Sequence, residues 1–141
     1  MSVATELQTW VFQTLSHETT GLQVPVWDNV PINPDTGETQ SGWPFVTIGD
    51  DTLIPWDTDE DPGWEATLTL HIWSRYPGRK EIKDLYGEIF TRLNRKAVQL
   101  NTHYMVDCTH DFFETFEDQD GITRHGVARF RVVLHEGGNN E

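Results

Sequence analysis

Residues 63–94 read GWEATLTLHIWSRYPGRKEIKDLYGEIFTRLN, and this stretch contains two hydrophobic periodicities in succession. Apolar and polar side chains alternate over residues 64–75, which predicts a strand with one buried face. Trp73 falls on the polar side of that alternation, so we expect it to cover a second surface or a neighbouring molecule. A Pro-Gly pair then ends the strand, and apolar side chains at helical spacing predict an amphipathic helix over residues 79–94.

The flanking segments predict a second helix and more strands. Helical spacing covers residues 3–15, while residues 28–44 and 50–63 are rich in turn-forming residues. The predicted strands are residues 22–27, 45–49, one or two within 97–108, 111–117 and 122–135. An Asp-Gly pair predicts a hairpin between the last two strands, and Gly126 suggests a bulge in the second.

This order of elements predicts an α+β fold. We expect a mostly antiparallel sheet with two amphipathic helices packed on one face, because long strands joined by a tight hairpin pair antiparallel. We also expect a single domain over residues 1–136 and a flexible C-terminal tail over residues 137–141.

Charge and composition exclude several classes of protein. Ten Lys and Arg against 23 Asp and Glu give a net charge of −13. Such a surface repels phosphate, so we do not expect the protein to bind nucleic acid. We expect the acidic charge to serve solubility or contact with a basic partner. The chain has no apparent signal peptide and no run of about 20 apolar residues, so we expect no membrane span. A single cysteine cannot form an intrachain disulfide.

No familiar catalytic motif is present, and we predict that the protein is not an enzyme and has no cofactor. Cys108, His110 and Asp111 are neighbours in sequence, but a nucleophile and its base require a geometry that adjacency does not supply. Cys108 and His110 would share one face of a strand. We interpret the pair as a buried thiol beside a histidine at the rim of the core.

The acidic run at residues 57–61 resembles the start of a calcium-binding loop. Asp57, Asp59 and Asp61 stand at the first, third and fifth positions of such a loop. Pro62 then replaces the required glycine and Leu68 replaces the final bidentate Glu, so the pattern fails. A solvated acidic loop is the favoured interpretation, and a loose Mg²⁺ or Ca²⁺ site is the alternative.

Two cations open the helix at residues 79–94, where the helix dipole favours negative side chains instead. This unfavourable placement suggests that Arg79 and Lys80 contact an acidic partner. We hypothesise that this partner is the acidic segment at residues 57–61 of an adjacent subunit. The residues predicted for a subunit interface or a bore are Asp57, Asp59, Glu60, Asp61, Trp73, Arg79 and Lys80.

Three segments carry a resemblance to a known family. They are PFVTIGDDTLIPWDT at residues 44–58, the stretch at residues 63–94 already quoted, and DGITRHGVARFRVVL at residues 120–134. Together with the opening helix and VWDNVP at residues 26–31, they resemble the tail completion, or tail terminator, proteins of long-tailed phages and prophages. Trp73 to Glu81 is the most specific part, and the loop from Asn33 to Trp43 is longer than the family leads us to expect.

The resemblance implies a structural role in the virion, assembled in the host cytoplasm. Members of this family form a ring, commonly of six subunits, at the head-proximal end of the tail tube. The expected partners are further copies of the chain, the tube protein and the head connector or stopper. Genomic DNA would pass through the bore without specific binding, and an acidic bore would repel it.

Three other functions remain open from the sequence. A head-completion or stopper protein of the neck would share the same class and partners. A metal-dependent enzyme would use Asp57, Asp59 and Asp61. A monomeric adaptor would bind a basic partner through its acidic face.

Overall fold

The computed structural model of the chain describes residues 2–56 and 62–138. Two helices and one sheet form a single α+β domain, as predicted. The elements in chain order are α1 Val3–Leu15, β1 Val26–Trp27, β2 Phe45–Pro55, β3 Gly63–Ser74, α2 Lys80–Leu93, β4 Val98–Gln99, β5 His103–Glu117 and β6 Arg124–Glu136. Among the described residues, neither helix is long and apolar enough to cross a bilayer.

The six strands form one mixed sheet in the order β1-β2-β3-β6-β5-β4. Within the described part of the chain, β1 pairs with β2 in parallel, and the other four pairings are antiparallel. The long strands β3 and β6 pair along almost their whole length and form the centre of the sheet. Because β1 and β4 contain only two residues each, most of β2 and β5 stands at the borders of the sheet.

The hydrophobic core contains side chains from both helices and from the sheet, and we call the sheet face that carries these core side chains the inner face. Both helices contribute fully buried side chains, as do alternate residues of the central strands. These include Val11, Leu15, Leu68, Leu70, Ile72, Ile82, Ile89, Leu93, Phe130, Val132 and Leu134. Burial of Ala66, Leu68, Leu70 and Ile72 confirms the strand that the sequence predicted, and the buried positions of α2 confirm the helix.

Gly126 allows α2 to approach the sheet closely. A Cβ atom at this position would lie 2.6 Å from Cγ2 of Ile82 and 3.3 Å from the ring of Phe113. Contacts that short are repulsive, so any side chain would push α2 away from β6. The predicted bulge at Gly126 is wrong, because β6 keeps its register there and the irregularities fall in β5.

A buried carboxylate ties α1 to the turn between β4 and β5. Glu6 is only 3% exposed, and it accepts hydrogen bonds from the backbone N–H and hydroxyl of Thr102 and from Nδ1 of His103. Burial acts to raise the pKa of Glu6, but these hydrogen bonds outweigh it and lower the pKa. The helix itself begins after Ser2, whose hydroxyl accepts from the N–H of Thr5.

Three predicted strand boundaries are wrong. The strand predicted at residues 22–27 pairs only through Val26 and Trp27, because Gln23 has a positive φ of 64° that interrupts extended backbone. The strand predicted at residues 45–49 continues to Pro55 through an irregularity after Gly49. The separate strands predicted before and after residue 110 are one strand, since two bulges absorb the breaks in periodicity.

Candidate functional site

Aromatic and histidine side chains gather on the sheet face opposite the core. Phe45 of β2 stands beside Trp73 of β3, which stands beside His125 of β6. His125 in turn stands beside Phe116 of β5. Residues that face each other across neighbouring strands project to the same side of a sheet, so these side chains form one row across four strands. We call the row, together with Trp43 and His71, the outer cluster.

The outer cluster is packed at short ring distances. The rings of Trp73 and His125 stack at 3.8 Å with 9° between their planes, and Phe116 meets His125 edge-on at 4.5 Å. Phe45 and His125 are 3% and 9% exposed. The outer face therefore carries a second packed layer that is separate from the core.

Two imidazoles meet inside this layer. Nδ1 of His71 lies 2.8 Å from Nε2 of His125, which requires one nitrogen to donate and the other to accept. Burial, followed by the charge on His71, lowers the pKa of His125 from 6.5 to about 4. His125 is therefore neutral at pH 7.

The sequence predicts that Trp73 covers a second surface or a neighbouring molecule. Its place in the outer cluster shows that it covers the outer face of this chain's own sheet. Its indole Nε1 donates to the hydroxyl of Thr47 at 3.2 Å, and its ring covers His125. It remains partly exposed. Its predicted role at a subunit interface or bore stays a prediction.

A groove of about 530 Å³ lies beside the outer cluster, between the loop that follows β1 and the turn joining β5 to β6. Its floor is aromatic and includes Trp43, Phe45 and Trp73. Its rim carries four carboxylates, Asp28, Glu38, Asp118 and Asp120. Concave sites with an apolar floor and a few polar groups are typical binding sites.

The two sides of this groove are ordered by local hydrogen bonds. Asp120 accepts from the N–H groups of Ile122 and Thr123, each at 2.8 Å, and from the hydroxyl of Thr123 at 2.7 Å. The hydrogen bonds from Thr123 and Ile122 lower the pKa of Asp120 to about 2. The guanidinium of Arg75 lies 4.3 Å from the ring centroid of Trp43, so the groove already holds one cation against an aromatic ring.

The free edge of β2 is the second candidate surface. Residues 52–55 pair with β3 on one side, and among the described residues no strand pairs with them on the other side, where apolar side chains are exposed. Leu53, Ile54 and Trp56 are 37%, 58% and 47% exposed. We call residues 52–56 the β2 edge. An edge strand with adjoining exposed apolar side chains is a typical place for another chain to bind.

The predicted cations at the start of α2 are both exposed. Lys80 forms an ion pair with Asp84 at 2.6 Å, which raises the pKa of Lys80. Arg79 occupies the N-cap position and forms no ion pair with any residue in the described ranges. Lys80 is therefore paired with Asp84 of the same helix, whereas Arg79 is accessible to a residue of another molecule.

The predicted acidic segment, Asp57, Asp59, Glu60 and Asp61, lies outside the described residues. Its contact with the cations of α2 stays a prediction. Within residues 2–56 and 62–138, no group of three or more His, Cys, Asp or Glu side chains is arranged to hold a metal ion.

Cys108 and His110 face the core, as their spacing on a strand predicted. Burial, followed by the charge on Asp107, raises the pKa of the Cys108 thiol to about 12, which makes it a poor nucleophile. Nε2 of His110 is hydrogen-bonded to the hydroxyl of Tyr86 at 2.7 Å. Asp111 is exposed beside a bulge in β5.

Sequence reasoning missed both the groove and the β2 edge. The alternation along β3 places His71 and Trp73 on one face, but nothing in the sequence gives the register that brings His125 beside them. The exposed residues of the β2 edge stand in a segment rich in acidic and turn-forming residues, which led to the prediction of a loop. Residues LIPW at 53–56, four apolar residues in a row, were the available signal.

Comparison with known proteins identifies relatives. The family model described as tail completion protein gp17 matches residues 19–135. Tail completion protein gp17 of Bacillus phage SPP1 is 26% identical over 93 residues, which cover 66% of this chain and 69% of that protein.

A solved structure shares the fold. A chain in the virion of a native gene transfer agent (GTA) particle superimposes with a TM-score of 0.78. The match covers 96% of this chain and 98% of that chain at 19% identity, so this similarity concerns the fold alone.

Proposed function

We propose, on the premise that this chain belongs to the tail completion protein gp17 family, that its subunits form a ring at the head-proximal end of a phage tail tube. The family model spans residues 19–135, which is most of the chain. Membership makes the protein a structural component of the virion tail. In the proposed role the ring has closed cyclic symmetry with six subunits, stops tube polymerisation and joins the tail to the head connector.

The observation that carries this proposal is the β2 edge. A subunit that closes a ring needs two different surfaces that fit one another, because each subunit contacts its neighbours head to tail. Ile54 and Trp56 are about half exposed, and Ile54 belongs to a strand segment that pairs only with β3 among the described residues. Burying such side chains against a neighbour contributes about 1.5–3 kcal/mol for each one that becomes fully covered.

Charge supports the same contact. We propose that Asp57, Asp59, Glu60 and Asp61, which follow the β2 edge in sequence, meet Arg79 and Lys80 of the adjacent subunit. The pairing gives the contact its direction, since opposite charges favour one register and like charges oppose others. Trp73 would contribute through the exposed part of its ring on the outer face.

We further propose that both helices pack on the inner face, which leaves the outer face for assembly or for the bore. A net charge of −13 on each subunit would be repeated around the ring. DNA carries a charge of the same sign, so an acidic bore would let the genome pass without binding. Neutralising the acidic segment is expected to slow DNA exit from assembled particles, and an unchanged rate of exit would contradict this part.

The test of ring formation is the mass in solution, measured by light scattering over a range of protein and Mg²⁺ concentrations. Six copies of the 16.2-kDa chain give about 97 kDa. Ile54→Ser is expected to raise the concentration at which half of the rings dissociate by about tenfold or more, since central interface residues contribute at least about 1.4 kcal/mol. Ile122→Ser is the matched control, because Ile122 is 57% exposed against 58% for Ile54.

The charge contact has its own control. Arg79→Glu with Lys80→Glu is expected to disrupt the ring, whereas Lys83→Glu, an exposed cation one turn further along α2, is not. A ring that survives the double change intact would contradict the charge contact alone. A natural chain that stays monomeric at every concentration would contradict ring formation in solution.

A further inference from the structure

The groove beside the outer cluster presents two features to a ligand. Asp28, Glu38 and Asp118 line its rim, and none of the three forms an ion pair with a residue in the described ranges. Trp43 and Trp73 line its floor and remain partly exposed. Aromatic rings beside unpaired carboxylates favour a ligand that is both apolar and positively charged.

Arg75 already places one cation against an aromatic ring in the groove. Its guanidinium lies 4.3 Å from the centroid of the Trp43 ring, and its Nε donates to the hydroxyl of Thr123 at 3.4 Å. One internal cation therefore faces four rim carboxylates, so the rim keeps a net charge of −3. A second cation entering the groove would be attracted by the remaining carboxylates.

We propose that this groove docks a basic segment of a partner protein, one in which Lys or Arg alternates with apolar residues. The apolar side chains would pack on Trp43 and Trp73 while the cations meet the rim. Nucleic acid does not fit, because its phosphates would face the carboxylates. The proposal goes beyond ring formation and does not depend on it.

The experiment titrates the full-length, ¹⁵N-labelled protein with the synthetic peptide acetyl-Gly-Leu-Arg-Leu-Lys-Gly-amide. Saturable shifts of the Trp43 and Trp73 indole N–H signals are expected, and the binding should weaken as salt screens the charges. Glu38→Gln with Asp118→Asn should weaken binding about fivefold, and Arg75→Gln should strengthen it about threefold, given the usual size of exposed charge pairs. Opposite effects from the two variants cannot arise from general loss of stability.

Matched controls change the same charges elsewhere. Asp111→Asn with Glu136→Gln removes two exposed carboxylates that do not line the groove, and Lys83→Gln removes one exposed cation of α2. Both controls should bind the peptide like the natural chain.

Three results would overturn the proposal. One is equal binding of a peptide with Glu in place of its Arg and Lys, and another is equal weakening by the control and groove variants. The third is a shift of the same indole signals with protein concentration alone, which would assign the groove to a second copy. Ring formation is read separately from the solution mass, so failure of one proposal is distinguishable from failure of the other.

Discussion

The two faces of the sheet differ in what holds their side chains in place. On the inner face, Leu70, Ile72 and Phe130 are fully buried among apolar neighbours, so volume and close approach decide which residues fit. On the outer face, His71 and His125 are held by a hydrogen bond and by stacking on Trp73. The inner face is therefore expected to respond to changes in size, and the outer face to changes in charge and protonation.

The largest effect is expected from emptying the inner face. Phe130→Ala should lower the free energy of unfolding by about 3–5 kcal/mol, because it removes a fully buried ring from the centre of the sheet. Phe116→Ala is the matched change on the outer face, where the ring is 39% exposed, and should cost about 1 kcal/mol. Urea unfolding measures both values, and equal losses would contradict the difference between the faces.

Overfilling the inner face should also destabilise the fold. Gly126→Ala places a Cβ atom 2.6 Å from Ile82, and the strain should cost about 1–3 kcal/mol. Gly87→Ala is the control, since a Cβ at that position of α2 meets no atom within 4 Å. That change should stabilise the protein by about 0.5–1 kcal/mol through helix propensity. A thermal midpoint that does not fall for Gly126→Ala would show that α2 can move away without cost.

The Glu6 network tests a polar group at the border of the inner layer. Glu6→Gln should cost about 1–3 kcal/mol, because the buried side chain loses hydrogen bonds to a charged acceptor. The lowered pKa of Glu6 means that its stabilising effect is present above pH 4.5 and is lost as the pH falls below that value. Unfolding at pH 7 and pH 3.5 measures both effects. Glu18→Gln, on an exposed residue, is the control and should leave the free energy of unfolding at pH 7 unchanged to within about 0.5 kcal/mol.

The last effect is expected on the outer face and appears only with pH. Because the pKa of His125 falls to about 4 in the folded state, the unfolded chain takes up the proton first as the pH drops from 6.5. Stability should therefore decrease between pH 6.5 and pH 4, by up to about 3 kcal/mol from this residue. His125→Phe should make the decrease shallower by that amount.

The reference for this measurement is the natural chain, unfolded over the same range of pH. A slope that is the same with and without His125 would show that the outer cluster accommodates a charged imidazole.

Some elements of the fold were predictable because their signals are local. Helical spacing gave α1 and α2 to within one residue, and alternation gave β3, since in each case one face is buried along the whole element. The extension of β2 to Pro55 was not predictable in the same way. Its second half is an exposed edge, so it lacks the alternation that burial imposes.

The α+β class, the acidic net charge and the resemblance to the tail completion family follow from composition, periodicity and motif. The positions of the outer cluster and the groove depend on the tertiary structure. His125 meets His71 across 54 positions of sequence, and Trp43, which precedes β2, meets Arg75, which follows β3. Such contacts depend on the register between strands, and register results from the packing of the whole sheet, not from the residues on either side.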